Sequence, residues 1–332
     1  RLSLVGSEMC IRDRTEEAGF LPLTDRDVNT LWGRMNKTVG RVYLTDIYNV
    51  IHSEFVPLFN PFQSYFDHLP SWDGVSDPIG DLADTVHVKS DQAEFRDYFR
   101  KWFVGILPAL LDDTVVNHEI LVLIGEQGLY KTTWFNFLLP PELRCYFYTK
   151  TNSDRLNKDD LFSLTEFALI CFEELDGMRP AELNQLKAMV TMPYVNERAA
   201  YGRNKERHPH IASFCGTGNN VQFLTDPTGN RRWLPFEVSQ IRDPHLHAIP
   251  YELVYSQAYA LWKSGFCHWF SQEEIRKLNM HNSRFEVPNL EEDLIRTHFR
   301  KPFEGEAGIF VTAADILEQI SSCLRYPLSP NK

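Results

Sequence analysis

The segment HEILVLIGEQGLYKTTWF, residues 118–135, constrains the fold more than any other. Its first part is a continuous apolar run of strand length ending at Gly125. A strand with one wet face alternates polar and apolar residues, so an unbroken run suits a strand buried on both faces of a parallel sheet. A glycine turn follows, and KTTWFNFLL then reads as a helix closed by Pro140 and Pro141. A buried strand that hands a glycine turn to a helix N-terminus can bind phosphate. Backbone N–H groups wrap the oxygens, and the helix dipole favours their charge. The spacing matches the P-loop pattern G-x-x-x-x-G-K-[ST] except at Tyr130, which stands where the second glycine is usual. The candidate binding residues are Gly125, Glu126, Gln127, Gly128, Leu129, Tyr130, Lys131, Thr132 and Thr133. Lys131 is the candidate for the β/γ oxygens, and Thr132 for Mg²⁺. A tyrosine at 130 is awkward only if that position needs positive φ, and Gly128 is expected to take the strained conformation instead. The competing reading is a plain turn.

A second apolar strand narrows the choice. ALICFEELDG has four or more apolar residues and then acids at the strand's C-terminal end, the form of a Walker B strand. In doubly wound sheets ligands bind at that edge. Glu173 and Glu174 are the adjacent pair, with Asp176 close behind. The first is the candidate Mg²⁺ ligand and the second the group that polarises an attacking water. A solvated acidic turn is the alternative. A third strand, HIASFCGTGN, ends in two asparagines; Asn219 is the first candidate to hold a water or sense a phosphate, and Asn220 the second. Both also suit an ordinary turn. In DPTGNRRWLPF, Arg231 and Arg232 on a glycine turn suit stabilisation of a transferring phosphoryl group, and in ring ATPases such an arginine projects into the neighbour's site. An ordinary surface pair is the other possibility. RRWLPFEV is a fourth strand.

Strands alternating with helices point to an α/β sheet with crossovers. DQAEFRDYFRKWFVGILPALLDD is an amphipathic helix from about Asp91, and RPAELNQLKAMVT is another, with Pro180 near its start. Residues 15–58 and 250–300 read as helical. The aromatic segment holding Phe62, Tyr65, Phe66 and Trp72 reads as packing rather than base stacking. IFVTAADILEQISSCL starts like a winged-helix module, with a short strand, Thr312 as N-cap and an amphipathic helix. Six scattered cysteines without zinc spacing read as reduced thiols of a cytoplasmic protein. No apolar run approaches the roughly 20 residues of a membrane span. A net charge of −11 argues against a surface coated for nucleic acid, though a local basic strip would suffice to bind it. RLSLVGSEMCIRDR resembles a translated sequencing-adaptor scar, and the chain is expected to be an internal piece of a longer protein.

The order GEQGLYKTT, FEELDGM, NERAAYGRNKERHPH, GTGNN, TGNRRWLP resembles the virulence-associated protein E family over roughly residues 60–300. These are AAA+-type, superfamily-3-like helicase domains of phages and integrated mobile elements, often fused to primase modules. The resemblance implies a P-loop (AAA+-like) parallel sheet flanked by helices, with a helical N-terminal segment and a helical C-terminal region. It implies ATP and Mg²⁺ at the positions above, single-stranded DNA as partner, and self-association into a ring, expected to be a hexamer. The chain departs from the family at Tyr130, where many relatives carry glycine, and at Glu173, where aspartate is usual; both bear on hydrolysis more than on binding. In such helicases a hairpin before the third strand grips DNA in the ring pore. Here that segment offers Arg198, Arg203, Lys205, Arg207 and His208 with Tyr201 among them, and the DNA-binding candidates are Arg203, Lys205, Arg207 and His208. A role for Arg198 or Arg203 at a neighbour's nucleotide, or a solvated hairpin without function, are the alternatives. The expected domains are a scar over 1–14, a helical segment over 15–85, the P-loop ATPase over 86–245, a helical lid-like region over 246–300 and a cut-short winged-helix-like module over 301–332. The leading expectation is an ATP-driven DNA helicase or replication module. A nucleotide-binding regulatory or assembly module with little hydrolysis is the alternative, and a DNA-binding protein without nucleotide is a more remote one.

Overall fold

The computed structural model describes residues 10–12, 20–56, 59–151, 158–197, 205–225, 230–288, 290–303 and 305–322. The chain divides into two compact units, Arg1–Phe285 and Glu286–Lys332.

The first unit opens with a short antiparallel pair, β1 (Cys10–Arg12) and β2 (Phe20–Pro22). Phe20–Pro22 thus forms a strand inside the segment expected to be helical. Helices α1 (Asp25–Thr38) and α2 (Leu44–Ile51) follow. Thr24 caps α1, and Asp27 bonds back to the Thr24 amide at 2.9 Å. Next come α3 (Pro61–Asp67) and α4 (Pro78–Ala83), each with proline in its first turn, where no N–H is needed. Phe62 and Phe66 of α3 are buried, as the packing reading expects, whereas Tyr65 and Trp72 are half-buried.

The central sheet is built from β3 (Val86–Val88), β4 (Ile120–Ile124), β5 (Phe147–Lys150), β6 (Leu169–Phe172), β9 (Ser213–Gly218) and β10 (Trp233–Ile241). Its spatial order is β3-β10-β4-β9-β6-β5, and every neighbouring pair is parallel except β3 with β10. Strands β7 (Tyr194–Glu197) and β8 (Glu206–Pro209) form a separate antiparallel hairpin. The intervening helices are α5 (Gln92–Leu111), α6 (Lys131–Leu138), α7 (Lys158–Glu166), α8 (Pro180–Val190), α9 (Tyr251–Lys263) and α10 (Gln272–Asn282).

The buried runs are explained by a core on each side of the sheet. Leu121 and Leu123 of β4 join the aromatic core with Phe99, Trp102, Phe103 and Trp134. Ile120, Val122 and Ile124 face the other way, toward Leu183 and Leu186 of α8. Side chains alternate along a strand, so a strand covered on both faces must be apolar throughout. The stretch expected as a lid includes α9 and α10, which pack into the first unit: Val254, Tyr255 and Leu278 lie in the aromatic core. The Tyr255 hydroxyl donates to the Leu138 carbonyl at 2.9 Å, tying α9 to the end of α6. No helix among the described residues is long and apolar enough to cross a membrane.

The second unit holds α11 (Leu290–His298) and α12 (Ala313–Ser322). Thr312 caps α12 as expected: its hydroxyl accepts from Asp315 N at 3.3 Å and donates to the Asp315 carboxylate at 2.7 Å. The short strand expected before it is absent: residues 309–311 form no ladder, and Ile309 and Phe310 stand exposed.

Candidate functional site

The register of the sheet brings the candidate motifs to one edge. Ile124 pairs with Gly218, and Phe172 pairs with Gly216, so β4, β6 and β9 end side by side. Beyond β4 the backbone turns at Gly125, whose N–H donates to the Gly218 carbonyl at 3.1 Å. A Cβ at Gly125 would stand 2.9 Å from the Val238 carbonyl oxygen, so only glycine fits there. Gly128 takes φ +88°, as expected, but Tyr130 is left-handed as well, at φ 60° and ψ 19°. The idea that Gly128 relieves Tyr130 is therefore corrected. The turn needs positive φ at both places, because Tyr130 must present its carbonyl to start α6, accepting from Trp134 N at 2.7 Å. Holding a bulky L-residue there costs about 1–3 kcal/mol.

Lys131 opens α6 and is buried. Its Nζ donates to the carbonyls of Gly125 at 2.6 Å and Glu126 at 2.7 Å, and lies 3.4 Å from Asn219 Oδ1. Burial lowers its pKa, and the carboxylate of Asp176 opposes that shift. The Thr132 hydroxyl donates to Glu173 Oε1 at 2.8 Å, joining the P-loop helix to the acid strand across 41 residues of sequence. Strand β9 lies between those two strands, and its tip carries Asn219. Glu174 is exposed and left-handed, at φ 54° and ψ 45°. It and Tyr130 are the two non-glycine residues with positive φ among the described residues, and both line one cavity of about 510 Å³. The walls also include Gln127, Gly128, Leu129, Thr132, Thr133, Glu173, Gly218 and Asn219. Thr151 and Thr217 line it too. Sequence reasoning passed over both, although each follows or closes a strand at this edge. Asn220 is occupied elsewhere: its Nδ2 donates to Asp176 Oδ2 at 2.7 Å, which leaves Asn219 as the asparagine facing Lys131.

Arg231 and Arg232 are not brought to this cavity. They form a 3₁₀ turn at the start of β10, and Trp233 pairs with Ile120, the first residue of β4. The P-loop leaves from the last residue of β4, about 13 Å away along the strand. Beside the arginines lie His118 and Glu119. Burial pushes the Glu119 carboxyl up to about 7, against the pull of Lys101 and Arg231. The His118 pKa is lowered by burial and then by both arginines.

The hairpin expected before the third strand is present as β7 and β8, with Val195 opposite His208 and Asn196 opposite Arg207. Arg203 lies outside the described residues, as do Arg198 and Tyr201. Lys205 is exposed. The Arg207 guanidinium is exposed and sits 3.4 Å over the Tyr194 ring. His208 turns the other way: its ring meets Phe162 edge-on and its Nε2 is enclosed. Arg207 and Lys205 are thus available to a partner, whereas His208 belongs to the packing of the hairpin base.

The model of the virulence-associated protein E-like domain matches residues 67–287, more than half of the chain. The chain belongs to that family. The matched stretch begins at the end of α3 and includes the whole central sheet, α9 and α10. Among solved structures, the apo structure of the NrS-1 C-terminal region (305–718) aligns over 88% of this chain and 72% of that one, with a TM-score of 0.51 and 12% identity. A second NrS-1 structure, an A form of the same region, aligns over 87% and 72% with a TM-score of 0.48 and 12% identity. At such identity the first of these likenesses shows a shared fold. No curated protein matches the chain.

The residues around the turn after β4 fit a nucleoside triphosphate with Mg²⁺. The buried Lys131 ammonium is bonded only to neutral oxygens, and the Asp176 carboxylate acts on it without a hydrogen bond. The first turn of α6 adds unpaired N–H groups at the same place. Thr132 and Glu173 supply two hard oxygen donors side by side. That suits Mg²⁺, which takes one or two protein oxygens and completes its shell with phosphate and water.

Proposed function

We propose that the chain is the ATP-dependent motor of a replication module of a phage or integrated mobile element, working on single-stranded DNA as a ring, with six copies expected. The observation that supports this best is the Thr132–Glu173 hydrogen bond of 2.8 Å beside the buried Lys131. It joins the two elements a phosphoryl-transfer site requires. Bound ATP with Mg²⁺ would supply the phosphoryl group whose transfer to water drives movement. Lys131 holds the phosphate charge, Thr132 and Glu173 hold the metal, and Glu174 at the cavity mouth orients and polarises the attacking water. Asn219 holds that water against Lys131. Arg231 or Arg232 serves the site of a neighbouring copy, since neither reaches its own. The hairpin carries Lys205 and Arg207 to the DNA backbone. ATP turnover measured with and without single-stranded DNA tests this reading. Stimulation by DNA, lost in Lys131→Ala, is the expected result; turnover unchanged in that variant would overturn the site.

A second reading is supported by Tyr130. A strained, half-exposed aromatic at the P-loop suits a module that binds nucleotide and hydrolyses it little. Tight ATP binding without turnover on single-stranded DNA, in the assembled state, would select it.

A further inference from the structure

Asp176 has no role in the chemistry assigned above, yet its carboxylate joins two strand tips. Oδ1 accepts from Asn219 N at 3.1 Å. Oδ2 accepts from Asn220 N at 3.1 Å and from Asn220 Nδ2 at 2.7 Å. All three donors sit just past β9, whereas Asp176 lies in the 3₁₀ turn after β6. The ladder between these strands ends at Phe172 and Gly216. Beyond it, among the described residues, the hydrogen bonds that connect the acid turn to the β9 tip are those of Asp176.

The turn itself is held firmly. Gly177 N donates to the Glu174 carbonyl at 2.8 Å, and Glu174 is forced left-handed. Leu175 is fully buried and fills the space above Gly216. Gly218 leaves no slack either: a Cβ there would stand 3.0 Å from Asp176 Oδ1. A carboxylate gripped by backbone N–H groups on one side and a rigid turn on the other fixes the distance between what each side carries. One side carries Glu173 and Glu174. The other carries Asn219, whose Oδ1 faces Lys131.

We propose that Asp176 is a positioning residue: it clips the acid turn to the β9 tip and so sets the Asn219 amide against Lys131 and the Glu173–Glu174 pair. The proposal rests on the phosphate-site reading above, and its test separates the two. Asp176→Asn keeps the shape, but its amide nitrogen cannot accept a backbone N–H. In the full chain, Asp176→Asn is expected to lower ATP turnover about tenfold while the affinity for a fluorescent ATP analogue stays within about threefold. Because the clip acts through Asn219, the double variant Asp176→Asn/Asn219→Ala is expected to turn over no more slowly than Asn219→Ala alone. Losses that multiply in the double variant, or affinity that falls in step with turnover, would overturn the proposal. Amide hydrogen exchange gives a readout independent of hydrolysis. The Asn219 and Asn220 amides are expected to exchange faster in Asp176→Asn, with β4 amides unchanged; equal protection in both proteins overturns the clip. If the parent chain hydrolyses no ATP, the motor reading fails, and the exchange result alone decides the role of Asp176.

Discussion

At the edge of the sheet where β4, β6 and β9 end, Lys131 meets Asn219 and Thr132 meets Glu173 in two close pairs. At the edge where β4 and β10 begin, Arg231 and Arg232 stand with His118 and Glu119 and with none of those partners. The first edge gathers the groups that the proposed phosphate and metal roles require. The second offers two arginines beside the Glu119 carboxyl, which burial pushes toward its neutral form. Under the proposed function the first rim is a receptor and the opposite rim its complement, and a second copy would bring the two together.

That contrast breaks most sharply at the arginines. Replacing both Arg231 and Arg232 by alanine is expected to lower turnover about 10³-fold with little change in nucleotide affinity, since the proposed role of the pair is on the transferring group and not on binding. Mixing this variant with Lys131→Ala is expected to restore part of the turnover, because one mixed interface then holds an intact version of each rim. No recovery in a turnover assay of the mixture would place both rims in separate functions. Lys131→Ala alone is expected to cost about 10²–10³-fold in turnover and, unlike the arginine pair, to weaken binding of an ATP analogue in a titration.

The next effect concerns stability near the arginine rim. His281 of α10 is buried, with Nδ1 2.9 Å from Glu94 Oε2 and Nε2 2.7 Å from the Pro235 carbonyl on β10. The hydrogen bond from His281 holds the Glu94 carboxyl below its ordinary pKa, against the penalty of burial. A carboxyl whose folded pKa is depressed stabilises the fold above its unfolded pKa, about 4.3, and loses that contribution as pH falls through the folded value. Thermal unfolding between pH 6 and 3 should show this loss, and Glu94→Gln should flatten it. The substitution is expected to cost about 1–3 kcal/mol at neutral pH.

The smallest expected effect is on the receptor rim. Tyr130→Gly removes the left-handed strain from a half-exposed side chain and is expected to stabilise the chain by about 0.5–1 kcal/mol in urea unfolding. ATP-analogue binding should hold or rise. A large loss of binding would give the tyrosine ring a positive role in the site.

Much of this contrast could be read before any coordinates. β4 and β6 announce themselves because strands covered on both faces have no polar residue to blur the signal, and β9 and β10 carry a few polar residues but keep enough apolar ones to be read. β3 and β5 do not: the first is three residues long, and the second, FYTK, is half-exposed and follows directly on a 3₁₀ turn over Arg144–Tyr146. The acids and asparagines were legible as strand ends, since an apolar run stops where the sheet meets water. What the residues could not convey was distance. That Asn219, and not Asn220, faces Lys131 depends on Asp176 claiming Asn220, a contact made across 44 positions. Nor could residue type convey the backbone of Tyr130. Propensity argues against φ > 0 for a tyrosine, and the requirements of the turn prevail. His208 misled for a similar reason: strand alternation sends it inward while Arg207, its neighbour, points out.

The space that Leu175 takes above Gly216 has an evolutionary side. Any side chain at 216 would collide with the Leu175 methyl, and Leu175 is anchored by the same turn that carries the acids. The two positions therefore share a single allotment of volume. Relatives that carry alanine or serine at the position of Gly216 are expected to carry a smaller residue at that of Leu175, so the pair should drift together or not at all.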